Sequence, residues 1–183
     1  MEYVSKEVIL KNGKPCLLRL VEERDAEMML EYLKVTSAQT PYMGREPEEV
    51  RISVEEEVER IRKNRENPRA LHLAAFVDGA FAGSCSFSPN SDRMRSQHRC
   101  HMGISLYREF WGMGIGTALM GEVLAGARTA GFEQAELDVV STNAPAIALY
   151  KKMGFETTGT IPHAFKYRDG TYADFLFMVN RLT

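Results

Sequence analysis

Gly112, Gly114 and Gly116 stand at alternate positions in Trp111-Gly112-Met113-Gly114-Ile115-Gly116-Thr117, and the chain changes its periodicity across them. Upstream, Cys100, Met102, Ile104 and Leu106 share one parity between His98 and Tyr107, the pattern of a strand with one apolar face. Downstream, Ile115, Leu119, Val123, Ala127 and Ala130 recur every three to four residues and Gly131 supplies a stop, so a helix is expected from Ile115. The glycines therefore occupy a strand-to-helix junction. Glycine allows positive φ and close approach of a ligand to the main chain, while a helix N-terminus offers unpaired N–H groups and the positive end of a dipole. This junction is a candidate cradle for a phosphorylated ligand.

Spacing separates the designs that such a cradle can serve. A Walker A loop needs a lysine after its last glycine, and none follows here. A dinucleotide fingerprint gains some support from Glu136 and Asp138 downstream, but Gly-x-Gly-x-Gly is not Gly-x-Gly-x-x-Gly. A ligand-free glycine turn is the bland alternative. A second segment bears on the choice: Asn143-Ala144-Pro145-Ala146-Ile147-Ala148-Leu149-Tyr150-Lys151-Lys152-Met153-Gly154-Phe155 follows a strand-like Ala135 to Val140.

Taken together, Ile104 to Leu119 and Asn143 to Phe155 resemble the two motifs of the GNAT superfamily of acetyl-CoA-dependent N-acetyltransferases, and Thr40-Pro41-Tyr42, the Trp111-Gly112 start and Arg168-Asp169-Gly170 look most like its branch with small-molecule, amino-acid and ribosomal-protein acetyltransferases. The resemblance implies an α/β (α+β) fold: one curved, mixed, mostly antiparallel sheet flanked by about four helices, in the order β-α-α-β-β-β-α-β-α-β-β. It implies acetyl-CoA as co-substrate. Ile104, Ser105 and Leu106 would pair through their backbone with the pantetheine arm, and a backbone N–H near Leu106 would face the thioester oxygen. Trp111, Gly112, Met113, Gly114, Ile115, Gly116 and Thr117 would hold the pyrophosphate; Trp111 departs from the Arg or Gln usual there, which bears on one side chain and not on a cradle of amides. From the second motif, Asn143 and Ala146 are implied cofactor contacts, although Asn143 equally suits a helix cap. Tyr150 is the implied acid for the departing sulfur.

Other roles stay open from sequence. His101, Glu136, Asp138 or water would serve as general base, and Arg108, Lys151 and Lys152 either reach the phosphates or, the reading favoured here, stand as solvated charges beside the loop. The acceptor class implied first is a small-molecule primary amine, such as an amino acid or polyamine. A ribosomal-protein N-terminus and non-catalytic acyl-CoA binding are the alternatives. A homodimer is common in the family that the motifs resemble, and the sequence itself does not set the oligomeric state.

Composition excludes several classes. Mixed charge, 23 basic against 25 acidic residues with a net of −2, disfavours nucleic acid as a partner. No run approaches the roughly 20 apolar residues of a membrane span, and the start is unlike a signal peptide, so a cytoplasmic protein is expected. Cys16, Cys85 and Cys100 are odd in number and far apart, which suits small buried hydrophobes and not a disulfide framework. No metal site is expected, because His98 and Cys100 on a strand would face away from His101. Residues 1–183 are expected to form one domain.

Further elements follow from local signals. Asn12-Gly13 between Val8-Ile9-Leu10 and Leu17-Leu18-Arg19-Leu20 predicts a hairpin. Asp25 is expected to cap a helix reaching about Val35, and Ser53-Val54-Glu55-Glu56 forms a capping box for a second. The segment between them, Thr36 to Val50, is expected to be a loop, either lining the substrate or serving as a plain connector. Leu71–Val77 and Phe81–Phe87 around Asp78-Gly79 predict a second hairpin, and Glu156–Tyr167 with Tyr172–Leu182 a third.

Overall fold

A computed structural model describes residues Met1–Thr183. Strands β1 (Lys6–Ile9) and β2 (Pro15–Leu20) precede helices α1 (Ala26–Gln39) and α2 (Val54–Glu66). Three strands follow, β3 (Leu71–Val77), β4 (Ala80–Pro89) and β5 (Arg99–Leu106), then α3 (Ile115–Thr129), β6 (Gln134–Val140), α4 (Ala144–Lys152), β7 (Glu156–Lys166) and β8 (Tyr172–Arg181). All eight strands join one sheet in the order β1-β2-β3-β4-β5-β6-β8-β7. Every neighbouring pair is antiparallel except β5 and β6. The expected mixed sheet with four α-helices is therefore present, with one strand, β1, ahead of the order that the resemblance implies.

Alternation along the strands fixes two apolar layers. On β3, Leu73 and Ala75 enter one buried cluster with Cys85, Met102, Leu119, Val123 and Leu137, while Ala74 enters another with Met29, Tyr32 and Ile61. The sheet thus separates α3 and α4 on one face from α1 and α2 on the other. Cys16, Cys85 and Cys100 are free thiols buried in the first layer. No helix is long and apolar enough to cross a membrane.

Local signals set most boundaries. The Asp78-Gly79 turn has positive φ at both residues, 51° and 79°, which matches the twist of the hairpin it closes. The capping box forms as its spacing predicts, with the Glu56 amide donating to Ser53 Oγ (3.2 Å) and the Ser53 amide to Glu56 Oε2 (2.7 Å).

Two expectations near α1 need correction. Asp25 does not cap the helix with its side chain. Its carboxylate instead accepts a bidentate pair from Arg19 (2.6 and 2.9 Å) and the Glu22 amide (2.8 Å), a stronger set of partners than a neutral cap supplies. The helix also continues past Val35 to Gln39. Thr36 and Ser37 stay helical while buried because their hydroxyls donate back to the carbonyls of Tyr32 and Leu33, both at 2.7 Å. The loop that follows is correspondingly shorter and contains a 3₁₀ turn at Pro47–Glu49.

Candidate active site

The only parallel pair in the sheet is also its shortest register. Only Arg99, Cys100 and His101 of β5 align with Gln134, Ala135 and Glu136 of β6. Beyond His101 the strands part, although β6 keeps its other neighbour through Val140. In a strand, the N–H and C=O of one residue point to the same side and alternate along the chain. Tyr107 N–H donates to Ala82 C=O (2.9 Å) and Ser105 C=O turns toward Tyr32, so odd-numbered residues address β4. Ile104 and Leu106 consequently turn their backbone groups toward the β6 side, where no strand meets them. The Trp111 indole donates to Leu106 C=O (3.0 Å), which leaves the Leu106 amide as the donor at the rim of the opening. A side chain that the family pattern does not specify thus ties the loop to the end of β5.

The glycine loop follows immediately. Gly112 and Gly114 take φ of 77° and 92°, backbone that other residues rarely adopt. The first bond of α3 runs from Ala118 N–H to Gly114 C=O (3.1 Å), so the amides of Ile115, Gly116 and Thr117 have no acceptor within the helix. At Gly116 an added Cβ would lie 3.0 Å from Leu149 Cδ2 and 3.6 Å from Ile104 Cδ1, which brings α3 and α4 close beside the opening. These features form a concave row of amide donors at a positive helix end.

On α4, Asn143 accepts the Ala146 amide at 3.3 Å, so the capping role open from sequence is present in the structure. Tyr150, seven residues on, is buried in the α3/α4 layer and stacks at a tilt on Phe155, with ring centroids 6.0 Å apart. Its hydroxyl has no hydrogen-bond partner in the chain, yet it is not among sealed polar atoms. It therefore keeps a small accessible surface. Burial, with a smaller contribution from the Cys85 thiol, holds the phenol well above its ordinary pKa, so the proton stays on oxygen at neutral pH. Cys85 pairs with Ile104, which places this part of α4 over the parted section of β5.

The opposite face is braced by Tyr32. Its buried hydroxyl donates to Ser105 C=O (2.6 Å), accepts from Ser84 N–H (3.3 Å) and contacts the Ser105 hydroxyl. Ser84 and Ser105 are direct partners across β4 and β5, so a tyrosine oxygen is inserted into the ladder. Ser84 Oγ also meets His72 Nε2 at 3.0 Å. Burial, and then the charge of Arg60, push the His72 imidazole down to about 4. No local signal in the sequence points to the Tyr32 hydroxyl.

The basic candidates separate. Glu136 is held by Arg99 Nε and Nη2, Gln134 (2.6 Å) and Asn90 (2.6 Å) at the paired end of β6. Burial raises its pKa, but these hydrogen bonds and the Arg99 charge outweigh that and hold it below the usual carboxylate range. It is a clamp on the strands before they part. His101 and Asp138 are exposed. His101 also shares the parity of Ser105 and so turns to the face opposite Tyr150. No three His, Cys, Asp or Glu side chains group as metal ligands.

Beyond the opening, the 40–53 loop is held against the C-terminal hairpin and the start of α4. Tyr167 Oη donates to Pro41 C=O (3.1 Å), Tyr42 Oη to Thr142 C=O (3.4 Å), and Arg168 pairs with Glu48 (2.8 Å). The loop expected from sequence between the two helices is thus fixed to the C-terminal hairpin and the start of α4.

Parted strands, free amides at a helix start and a phenol that keeps its proton thus lie in neighbouring parts of the fold. The chain belongs to the acetyltransferase (GNAT) family, whose profile matches residues 32–155. It is 32% identical over 114 residues to the L-amino acid N-acetyltransferase AaaT of Escherichia coli K12, spanning 62% of this chain and 69% of that protein. A GNAT-family acetyltransferase from Streptococcus pneumoniae shares the fold with a TM-score of 0.86 at 24% identity, covering 92% of this chain and 99% of that one. YncA from Salmonella typhimurium, a structure described with its cofactor acetyl-CoA, superposes with a TM-score of 0.80 at 18% identity, covering 92% and 94%.

Proposed function

We propose that this acetyltransferase moves the acetyl group of acetyl-CoA to the primary amine of a small molecule, an amino acid foremost, by direct attack in a ternary complex. The observation that carries this reading is the opening between β5 and β6, with the Leu106 amide at its rim, the glycine loop directly after it and Tyr150 on the adjoining α4. The name of the 32% identical relative supports an amino acid over a ribosomal-protein N-terminus.

Acetyl-CoA supplies an activated thioester, whose C–S bond breaks as the new C–N bond forms. Ile104 and Leu106 present the backbone edge for its extended arm. Their neighbours Trp111, Gly112, Met113, Gly114, Ile115, Gly116 and Thr117 supply the cradle for the pyrophosphate, the amides after Gly114 doing most of the holding. Ser105 fixes the strand through Tyr32, and Asn143 and Ala146 shape the start of α4. The Leu106 N–H stabilises negative charge developing on the carbonyl oxygen. Tyr150 donates its proton to the departing sulfur and recovers one from solvent after turnover. The amine loses its proton to water, because Glu136 is clamped and the His101 and Asp138 side chains are solvated.

Removing the acid tests this directly. Tyr150→Phe should lower kcat by about 10²- to 10⁴-fold with free L-amino acids as acceptors and leave acetyl-CoA affinity nearly unchanged. Full activity in that variant would remove Tyr150 from the mechanism. Acetyl-CoA binding by the wild type without turnover of any amine would instead indicate a binding module.

A further inference from the structure

The β1–β2 hairpin lies outside the matched residues 32–155, yet its turn rests on the glycine loop. The Leu10 amide donates to Lys14 C=O (2.9 Å) and the Gly13 amide to Leu10 C=O (3.0 Å), which fixes the turn. From it the Lys11 amide reaches Met113 C=O at 3.4 Å. The aliphatic stem of Lys11 runs past Gly114 so closely that a Cβ there would stand 3.4 Å from its Cγ. Gly114 therefore serves both the left-handed turn and the passage of this side chain.

A cavity of about 230 Å³ opens at this contact, lined by Val8–Lys11, Gly114, Thr117, Ala118 and Lys152. No carboxylate lines it. Neighbouring lysines on the hairpin are neutralised, Lys6 by Glu122 (2.6 Å) and Lys14 by Asp78 (2.5 Å), whereas Lys11 and Lys152 have no ion-pair partner. Lys152 Nζ comes within 3.5 Å of Thr117 Oγ1 in the first turn of α3. Two ammonium groups without ion-pair partners thus flank the first turn of α3.

We infer that Lys11 and Lys152 hold the 3′-phosphate at the nucleotide end of CoA. This inference rests on the acetyl-CoA reading above. The order of the ligand matches the order of the site: thioester at Leu106, pyrophosphate at Gly112–Thr117, ribose phosphate at the hairpin cavity. A phosphate monoester carries about 1.5 to 2 negative charges near neutral pH, which calls for more than one cation. Lysines suit it as flexible point charges where no rigid bidentate geometry is imposed.

Calorimetric titration of CoA and of 3′-dephospho-CoA into the wild type, Lys11→Gln and Lys152→Gln reads this phosphate separately from the rest of the cofactor. The wild type should bind CoA about tenfold or more tightly than dephospho-CoA. Each variant should lose about tenfold for CoA and stay within about twofold for dephospho-CoA. Both lysines are exposed, so the ligand-free melting temperatures should match and report intact folding. Equal weakening of both ligands, or undiminished CoA affinity in the variants, would overturn the inference. A wild type that binds neither ligand would overturn the acetyl-CoA reading and this inference with it.

Discussion

Gly83 on β4 is the position at which one methyl group should do the most damage. Its φ of 150° lies where side-chain-bearing residues are rarely found. A Cβ there would sit 2.4 Å from Ser105 O, 2.6 Å from Leu106 Cδ2 and 2.7 Å from Leu106 Cα. Two of the three obstacles are backbone atoms, so no rotamer change relieves them. Holding alanine at that φ costs about 1–3 kcal/mol. Overpacking against the neighbouring strand costs about 1–3 kcal/mol more. The sum for Gly83→Ala is about 2–6 kcal/mol, which for a chain of this length lowers Tm by roughly 5–20 °C. Gly103 on β5 is the internal control, since an added Cβ there meets nothing within 4 Å and its φ is ordinary. Gly103→Ala should shift stability by no more than about 1 kcal/mol, in the stabilising direction. Scanning calorimetry of both variants, paired with kcat, tests the argument. Gly83→Ala should also slow turnover, because the added carbon pushes on the Ser105–Leu106 segment that carries the proposed thioester donor. Equal melting temperatures for the two variants would refute the close approach of β4 and β5 on which the shape of the opening depends.

The bridge made by Tyr32 gives a second test: Tyr32→Phe leaves Ser84 N–H and Ser105 C=O without their partner, at a cost of about 1–3 kcal/mol in urea unfolding. An unchanged midpoint would show that these groups re-pair directly. Asn143→Ala should cost about 1 kcal/mol by removing the cap on α4, while Asn143→Asp retains it; equal stability of the alanine variant would rule out the cap as a stabilising contact. Glu136 and Asp25 are both held below the usual carboxylate range in the folded chain. Their contribution is complete above the unfolded carboxylate value of about 4 and is lost as pH falls through the depressed folded values. Melting temperatures of wild type and Glu136→Gln should therefore differ at pH 7 and converge below about pH 4. A gap that does not change with pH would mean that the Arg99 clamp contributes nothing through charge.

Local chemistry makes much of this molecule legible in its sequence. The Asp78-Gly79 turn, the Ser53–Glu56 box and the change of period at Ile115 each depend on residues within a few positions of one another. The two motifs located the glycine loop and Tyr150 in the same way. What escaped depends on pairs far apart in the chain. Nothing near Tyr32 announces that its oxygen lies between Ser84 and Ser105, 52 and 73 residues away. Glu136 looks like a free acid until Arg99, Asn90 and Gln134 are placed around it. Asp25 stands where a cap would, but Arg19, across a turn, is a better partner for its carboxylate than a helix amide. Strand parity could identify Ile104 and Leu106 as the same-sided pair, but only the three-residue register with β6 shows that their outer edge is bare.

That short register has a mechanical side. β1 to β5 form one continuous antiparallel ladder and β6, β8 and β7 another, and three aligned residue pairs join them. The sheet is thus two plates riveted at one end, with the Arg99–Glu136 ion pair at the rivet. A thioester arm lying along Ile104 and Leu106 would act as the missing strut between the plates. Amide hydrogen exchange of β6 and the end of β5 should slow when CoA binds, well beyond the few amides it touches, making the cofactor a temporary part of the scaffold as well as the source of the acetyl group.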